Sequence, residues 1–314
     1  MFSYIGKRLT AGLVTVFFIA SVTFAAMHIV PGDPLMGNKA MSPEIRANLE
    51  HKYGLDRPVA EQYVRYLANM AQGDFGISFT QKNRTVNDII VSHFPISAIL
   101  GILAVAFAAL GGILYGSLAA LGRGKWSDRT IMFLVILGVS VPSFVFAALG
   151  QLSLTLINKK AGFEVLPVGG WGTLSHMILP ALVLGLGTMA FLTRLMRSAL
   201  LEIVHQDYIR TAKAKGLPPV RIFFSHQLRN AILPVITYLG PAIATITTGG
   251  FVVESVFAIP GLGRYFVQAI QQLDYTVIMG LTVFYGAFLV FMVITVDIVY
   301  GLVDPRISVT KGKS

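Results

Sequence analysis

The sequence predicts an all-α integral membrane protein that crosses the bilayer six times and keeps both ends in the cytoplasm. Three observations predict it. The 314 residues are 54% hydrophobic and only 13% charged, too apolar for an ordinary soluble domain. The apolar residues fall into six blocks, each long enough for a helix crossing roughly 30 Å of hydrocarbon. Lys and Arg gather at alternate ends of those blocks, as they do in loops retained on the cytoplasmic side.

Residues 1–30 hold the cytoplasmic N-terminus and the first span. Lys7 and Arg8 precede an apolar run over 9–30. That run is too long for a signal-peptide core and lacks a small-residue cleavage site before Pro31, so it reads as an uncleaved span. Pro31-Gly32-Asp33-Pro34 ends it in a turn. Residues 31–95 form an external subdomain without charge bias, carrying seven basic and seven acidic residues. Two short helices are expected in it. One starts at Ser42-Pro43 and stops at Gly54. The other starts near Asp56-Arg57-Pro58 and stops at Gly73, with Tyr63, Tyr66, Leu67 and Met70 along one apolar stripe.

Residues 96–303 form a five-span core. In the second span, 96–121, Ala104, Ala108, Gly112, Gly116 and Ala120 make a small-residue stripe that lets another helix approach closely, inside the bundle or from a partner subunit. A short basic loop with Arg123, Lys125 and Arg129 leads to the third span, 130–157, kinked by Pro142. An external loop over 158–176 follows. The fourth span, 177–197, contains Pro180 and Gly185-Leu186-Gly187 and ends at Arg194 and Arg197. The fifth, 231–257, is interrupted by Pro234, Pro241 and Gly249-Gly250. A second external loop, 258–274, precedes the sixth span, 275–303, and residues 304–314 are a cytoplasmic tail.

Fifteen of the 25 Lys and Arg lie in the four cytoplasmic segments, and seven of the other ten sit in the long 31–95 region, where loop charge says little about topology. Two carboxylates fall within spans, Glu254 and Asp297. An ionised group in hydrocarbon costs about 2.5–3.5 kcal/mol on insertion scales, so each should face the bundle interior, water or a partner. Glu254 is the candidate for a translocation path, with structural pairing as the favoured alternative; for Asp297 that alternative is favoured more strongly.

Several function classes drop out. The net charge of +10 comes from topology signals and not from a basic face interleaved with aromatics, so no nucleic-acid binding is expected. The chain has no Cys, no phosphate-cradling G-x-x-x-x-G-K-[ST] loop, no H-E-x-x-H pattern and no G-x-S-x-G element. It is therefore not read as an enzyme, and no cofactor or metal is expected.

Between the fourth and fifth spans lies a hydrophilic segment, 198–230, whose residues 202–230 read EIVHQDYIRTAKAKGLPPVRIFFSHQLRN. Asp207 is placed to cap a helix from Tyr208 to Lys215, Gly216 to end it in the left-handed region, and Pro218 or Pro219 to open the next helix. This is a folded basic knob on a greasy protein, suited to grip a soluble partner. Its run Tyr208-Ile209-Arg210-Thr211-Ala212-Lys213-Ala214-Lys215-Gly216-Leu217, followed by His226-Gln227-Leu228-Arg229-Asn230-Ala231 and Leu233-Pro234, resembles the coupling loop of ABC-transporter permeases. Arg210-Thr211-Ala212 stands where the general form has Glu-Ala-Ala, and Arg229 where it has Pro. The Arg-Thr-Ala version resembles the dipeptide/oligopeptide importer branch, in particular the first of its two membrane subunits. Gly32-Asp33-Pro34, Gly73-Asp74-Phe75-Gly76 and Ile259-Pro260-Gly261-Leu262-Gly263 are also similar to that branch.

The resemblance implies a type I ABC importer permease-like bundle in the bacterial inner membrane, importing oligopeptides with ATP hydrolysed elsewhere. It implies a second homologous permease, two cytoplasmic ATPase subunits engaged through residues 208–217, and an extracytoplasmic peptide-binding protein as partners, with membrane lipid around the spans. An ion-gradient-driven secondary transporter is the alternative from another class, though no internal repeat supports it. An intramembrane enzyme is third. Dipeptides, longer peptides, cell-wall peptides and peptide-like metal chelates all remain open as substrates.

Overall fold

The computed structural model describes residues 2–29, 50–51, 54–81 and 84–303. In chain order their helices are α1 (Phe2–Ile29), α2 (Val59–Ala71), α3 (Val86–Leu121), α4 (Trp126–Ser140), α5 (Ser143–Ala161) and α6 (Leu174–Ile203). Then follow α7 (Asp207–Ala214), α8 (Pro219–Ala231), α9 (Leu233–Gly249), α10 (Phe251–Val256), α11 (Leu262–Gln271) and α12 (Tyr275–Val303). One isolated antiparallel bridge, Ile77 to Thr85, is the only non-helical pairing among the described residues. The turn at 31–34, the start of the helix expected from Ser42, the tail 304–314 and the side chain of Asp297 lie outside them.

Among the described residues four helices, α1, α3, α6 and α12, are each long and apolar enough to cross a membrane; counting each bent pair, α4–α5 and α8–α9, as one span gives up to six. The third span is not one kinked helix. α4 and α5 meet at 107°, because Pro142 keeps the residue before it out of the helical region: Val141 is extended at φ −91°, ψ 126°. α3 begins at Val86, ahead of the expected 96, and carries Pro95 inside it. A capping box starts it, with Thr85 Oγ1 accepting from the Asp88 amide at 3.0 Å while Asp88 Oδ2 accepts from the Thr85 amide at 3.3 Å. The fifth span is broken at Gly250, between α9 and α10, but Pro241 sits inside α9 without ending it. The segment after it is partly helical: α11 buries Leu262, Gly263 and Ala269 along one side.

The chain forms two compact units, Met1–Ser97 with Pro260–Ser314, and Ala98–Ile259. In the first, α1 lies along α12 at glycine contacts; a Cβ on Gly12 would stand 2.7 Å from Val290 Cγ1, and one on Gly286 2.6 Å from Ile19 Cδ1. The aromatic stripe of α2 packs on α1, with Phe24 5.2 Å from Tyr63 and 5.6 Å from Tyr66 between ring centroids. Burial there, with Tyr63 alongside, pushes the Tyr66 phenol well above its ordinary range.

In the second unit, the small-residue stripe of α3 seats on α6 of the same chain. A Cβ on Gly112 would stand 2.5 Å from Leu192 Cβ, and one on Gly116 2.7 Å from both Met196 Cβ and the Thr193 carbonyl oxygen. A Cβ on Gly185 of α6 would in turn meet the Ala104 carbonyl at 2.6 Å. These backbones touch because side chains are missing between them. Ala108, Leu192, Met196 and Leu200 then continue into one buried cluster with Ala231 and Val235 at the α8–α9 junction. The stripe is thus an interface inside the bundle.

Candidate coupling site

The segment after α6 folds into the expected helix–turn–helix, with one difference at its start. Asp207 is the first residue of α7, not its cap; Gln206 holds the cap position without a side-chain hydrogen bond. The Asp207 carboxylate instead sits in the first turn, where it favours the positive end of the helix dipole and lies 3.6 Å from Arg210 Nη1. At the other end Gly216 adopts φ +71°, and the Leu217 amide reaches back to the Ala212 carbonyl at 3.3 Å while the Gly216 amide reaches Lys213 at 2.9 Å. This is the Schellman closure that a left-handed residue makes available.

Two residues three apart anchor α7. Ile209 and Ala212 are buried against Ile222 of α8, with Ile203 at the end of α6 and Leu217 packed around them. Tyr208, Arg210, Thr211, Lys213, Ala214 and Lys215 are exposed. The result is a short helix with an apolar underside fixed to the bundle and a basic outer face turned to solvent. α8 opens at Pro219, its first helical residue, with Pro218 as cap. Within it, Phe223–Leu228 widen into a π-helical turn. Nδ2 of Asn230 donates to the His226 carbonyl in that turn at 2.7 Å and to the Tyr208 hydroxyl of α7 at 3.3 Å. One amide thereby ties α7 to the bend that leads into α9, where α8 and α9 differ by 45°. No pattern in the sequence marks the π turn.

Glu254 lies in α10 and is 2% exposed. Its backbone carbonyl closes the end of that helix by accepting from the Ile259 amide at 2.8 Å, across Ala258 at φ +54°. Nearby, Gln151 Nε2 donates to the carbonyls of Val168 and Val256, at 3.1 Å each, tying the 163–172 loop to α10.

Arg197, which the sequence places at the cytoplasmic end of the fourth span, turns out to be paired with Asp128. Asp128 in the first turn of α4 is 5% exposed, and Arg197 of α6 donates to it from Nε at 2.7 Å and from Nη2 at 2.8 Å. The same carboxylate accepts from the Gly124 amide at 3.0 Å. Asp128 was legible only as an acid among three basic neighbours; its partner is 69 residues away.

Residues 112–309 match the family model described as binding-protein-dependent transport system inner membrane component, and residues 1–101 match the model of the N-terminal part of such components. The chain belongs to this family. The permease is 44% identical over 312 residues to the dipeptide transport system permease protein DppB of Bacillus subtilis, covering 99% of each chain. It is 44% identical over 309 residues to the oligopeptide transport system permease protein OppB of Haemophilus influenzae, and 40% to OppB of Escherichia coli K12, each time covering 98% of this chain and 99% of the relative. These relatives are ABC permeases of the peptide branch that Arg210-Thr211-Ala212 points to. Among solved structures, the permease resembles the inward-facing MetNI methionine ABC transporter, with a TM-score of 0.53 and 21% identity over 68% of this chain and 94% of that one. It also resembles an amino acid ABC transporter, with a TM-score of 0.51 and 15% identity over 70% and 94%. At such identities the likeness is one of fold, that of type I ABC importer permeases.

Proposed function

We propose that this permease is the transmembrane subunit of an ATP-driven importer of oligopeptides in the bacterial inner membrane. It forms the translocation path with a second, homologous permease. Two ATPase subunits sit beneath on the cytoplasmic side, α7 docking in a groove on one of them, and an external binding protein delivers peptide. The observation that carries this reading is the seating of α7: Ile209 and Ala212 are buried while Arg210, Lys213 and Lys215 face out. A helix held this way passes a push on its outer face to the bundle instead of swinging on a slack loop. The names of the peptide-permease relatives support the substrate class. Glu254 is proposed to anchor α10 within its own chain rather than to touch substrate, in keeping with its burial.

The test is ATP hydrolysis by the assembled complex in lipid, with and without loaded binding protein. A Cβ on Gly216 would meet nothing within 4 Å, so Gly216→Val is opposed by backbone conformation alone. Holding a β-branched residue at φ +71° costs roughly 1–2 kcal/mol, or else the turn opens and redirects the chain. Gly216→Val is expected to assemble and lose stimulation. Lys213→Ala removes one exposed charge and should do far less, since exposed ion pairs contribute ~0–1 kcal/mol. Normal stimulation in Gly216→Val would show that α7 is not the coupling element.

A further inference from the structure

We propose that Asp128 and Arg197 are positioning residues for coupling: together they lock the stalk that carries α7 to the turn between α3 and α4, so that stalk and turn move as one body. The proposal rests on α7 being the coupling helix. α6 is that stalk. It ends at Ile203, and Arg197 lies six residues earlier, about 9 Å along the axis at 1.5 Å per residue. Below this level the closest approaches of α6 to α3 and α4 are at glycines: Gly112 and Gly116 of α3 lie against Leu192 and Met196, and Gly138 of α4 lies against Ala190. Such surfaces hold helices close by dispersion, which has little directionality, so one helix can slide or roll along another.

The ion pair supplies the missing directionality. A guanidinium fork donating through two N–H groups to two carboxylate oxygens fixes distance, plane and register together. Asp128 also accepts from the Gly124 amide, and Gly124 stands at φ +77° in the turn that connects α3 to α4. Three elements therefore converge on one carboxylate that is 5% exposed: the α3–α4 turn, the first turn of α4 and the last third of α6. A displacement of α7 delivered to α6 is then shared with α3 and α4 without a change of register.

The absence of Cys makes a direct test practical. Spin labels on Trp126→Cys, at the exposed start of α4, and on Glu202→Cys, at the end of α6, report the distance between turn and stalk. The measurement uses the full complex in lipid, nucleotide-free and trapped with ATP and vanadate. The expected result is one narrow distribution that is the same in both states. Arg197→Lys keeps the charge and loses the fork. It should broaden or shift that distribution and lower the stimulation of ATP hydrolysis by loaded binding protein about fivefold or more, within the usual range of coupling energies. Asp128→Asn with Arg197→Gln, which leaves no unpaired charge, should do the same and serves if Arg197→Lys fails to assemble. A wild-type distance that changes between the two states overturns the proposal, as does a fork-less variant with a narrow distribution and full stimulation. If α7 were not the coupling helix, Gly216→Val would keep its stimulation while the wild-type stalk and turn still moved together, so the two failures are distinct.

Discussion

Among the described residues, each compact unit buries an aspartate at a junction, and the two are satisfied in different ways. Asp128, in the second unit, meets a guanidinium and a single peptide amide. Asp274, in the first, is 1% exposed and holds the start of α12 through amides and hydroxyls. It accepts from the Val277 amide, from the amides of Phe79 and Thr80, and from the hydroxyls of Ser78 and Thr80. A carboxylate surrounded by dipoles from a folded loop depends on the whole loop being in place. A carboxylate facing one guanidinium depends mainly on one side chain, and its partner belongs to a different long helix. The first arrangement suits a fixed joint, the second a connection that sets the register of two helices.

The largest expected effects come from removing the carboxylates. Asp274→Ala leaves five donors without their acceptor, and Asp128→Ala leaves Arg197 uncompensated. Each should cost about 3–5 kcal/mol, read as a lower melting temperature in detergent. The two then part company. Adding Arg197→Met to Asp128→Leu should recover most of the loss, because both charges are gone and apolar groups fill the space. No second side-chain substitution should rescue Asp274→Ala, because three of its donors are backbone amides. Equal rescue at both sites would erase the distinction.

Next in size are the glycine contacts. Gly112→Leu and Gly116→Leu put bulk where even a Cβ would overlap Leu192 or Met196, so both should exceed the ~1–3 kcal/mol of ordinary overpacking. Gly6→Ala in α1, with nothing within 4 Å of the new methyl, should be neutral or gain up to about 1 kcal/mol from helix propensity. Thermal melts of the three variants check this; similar melting temperatures would mean that the stripe does not hold α3 to α6.

The smallest effect is at Ala258 and Leu273, the non-glycine residues with positive φ among the described ones, at +54° and +55°. Ala258→Gly relieves strain of roughly 1 kcal/mol, less the chain entropy that glycine adds, and should stabilise slightly. Leu273→Gly relieves the same strain but removes a side chain packed on the core of the first unit, so it should destabilise. Opposite signs for the two are the outcome to look for.

Much of the candidate coupling segment's local fold was legible. Gly216, Pro218-Pro219 and the run around Ile209 each act within a few residues, and local backbone chemistry carries them whatever the rest of the chain does. The α2 helix and its Tyr63, Tyr66, Leu67 and Met70 stripe were legible for the same reason. The capping box Thr85-Val86-Asn87-Asp88 was present in the sequence too, and it starts α3 earlier than an apolar block boundary does. Pro142 was legible as a disruption but not as a 107° elbow, because proline sets the torsions of two residues and the packing beyond them sets the angle.

By itself, then, the sequence determined what depends on neighbours along the chain: which blocks are apolar enough for hydrocarbon, where helices stop, which outer face is basic and which branch of permeases the central run belongs to. Tertiary structure alone decided which surfaces meet. The stripe on α3 could have faced a partner subunit; it faces Leu192 and Met196 of the same chain. Arg197 of α6 became the partner of a buried Asp128, and Asp274 became the acceptor for a loop almost 200 residues away. The physical reason is the same in each case. Small residues and single charges carry no information about their partners until the chain has folded, because dispersion and Coulomb attraction act on whatever is brought within a few ångströms.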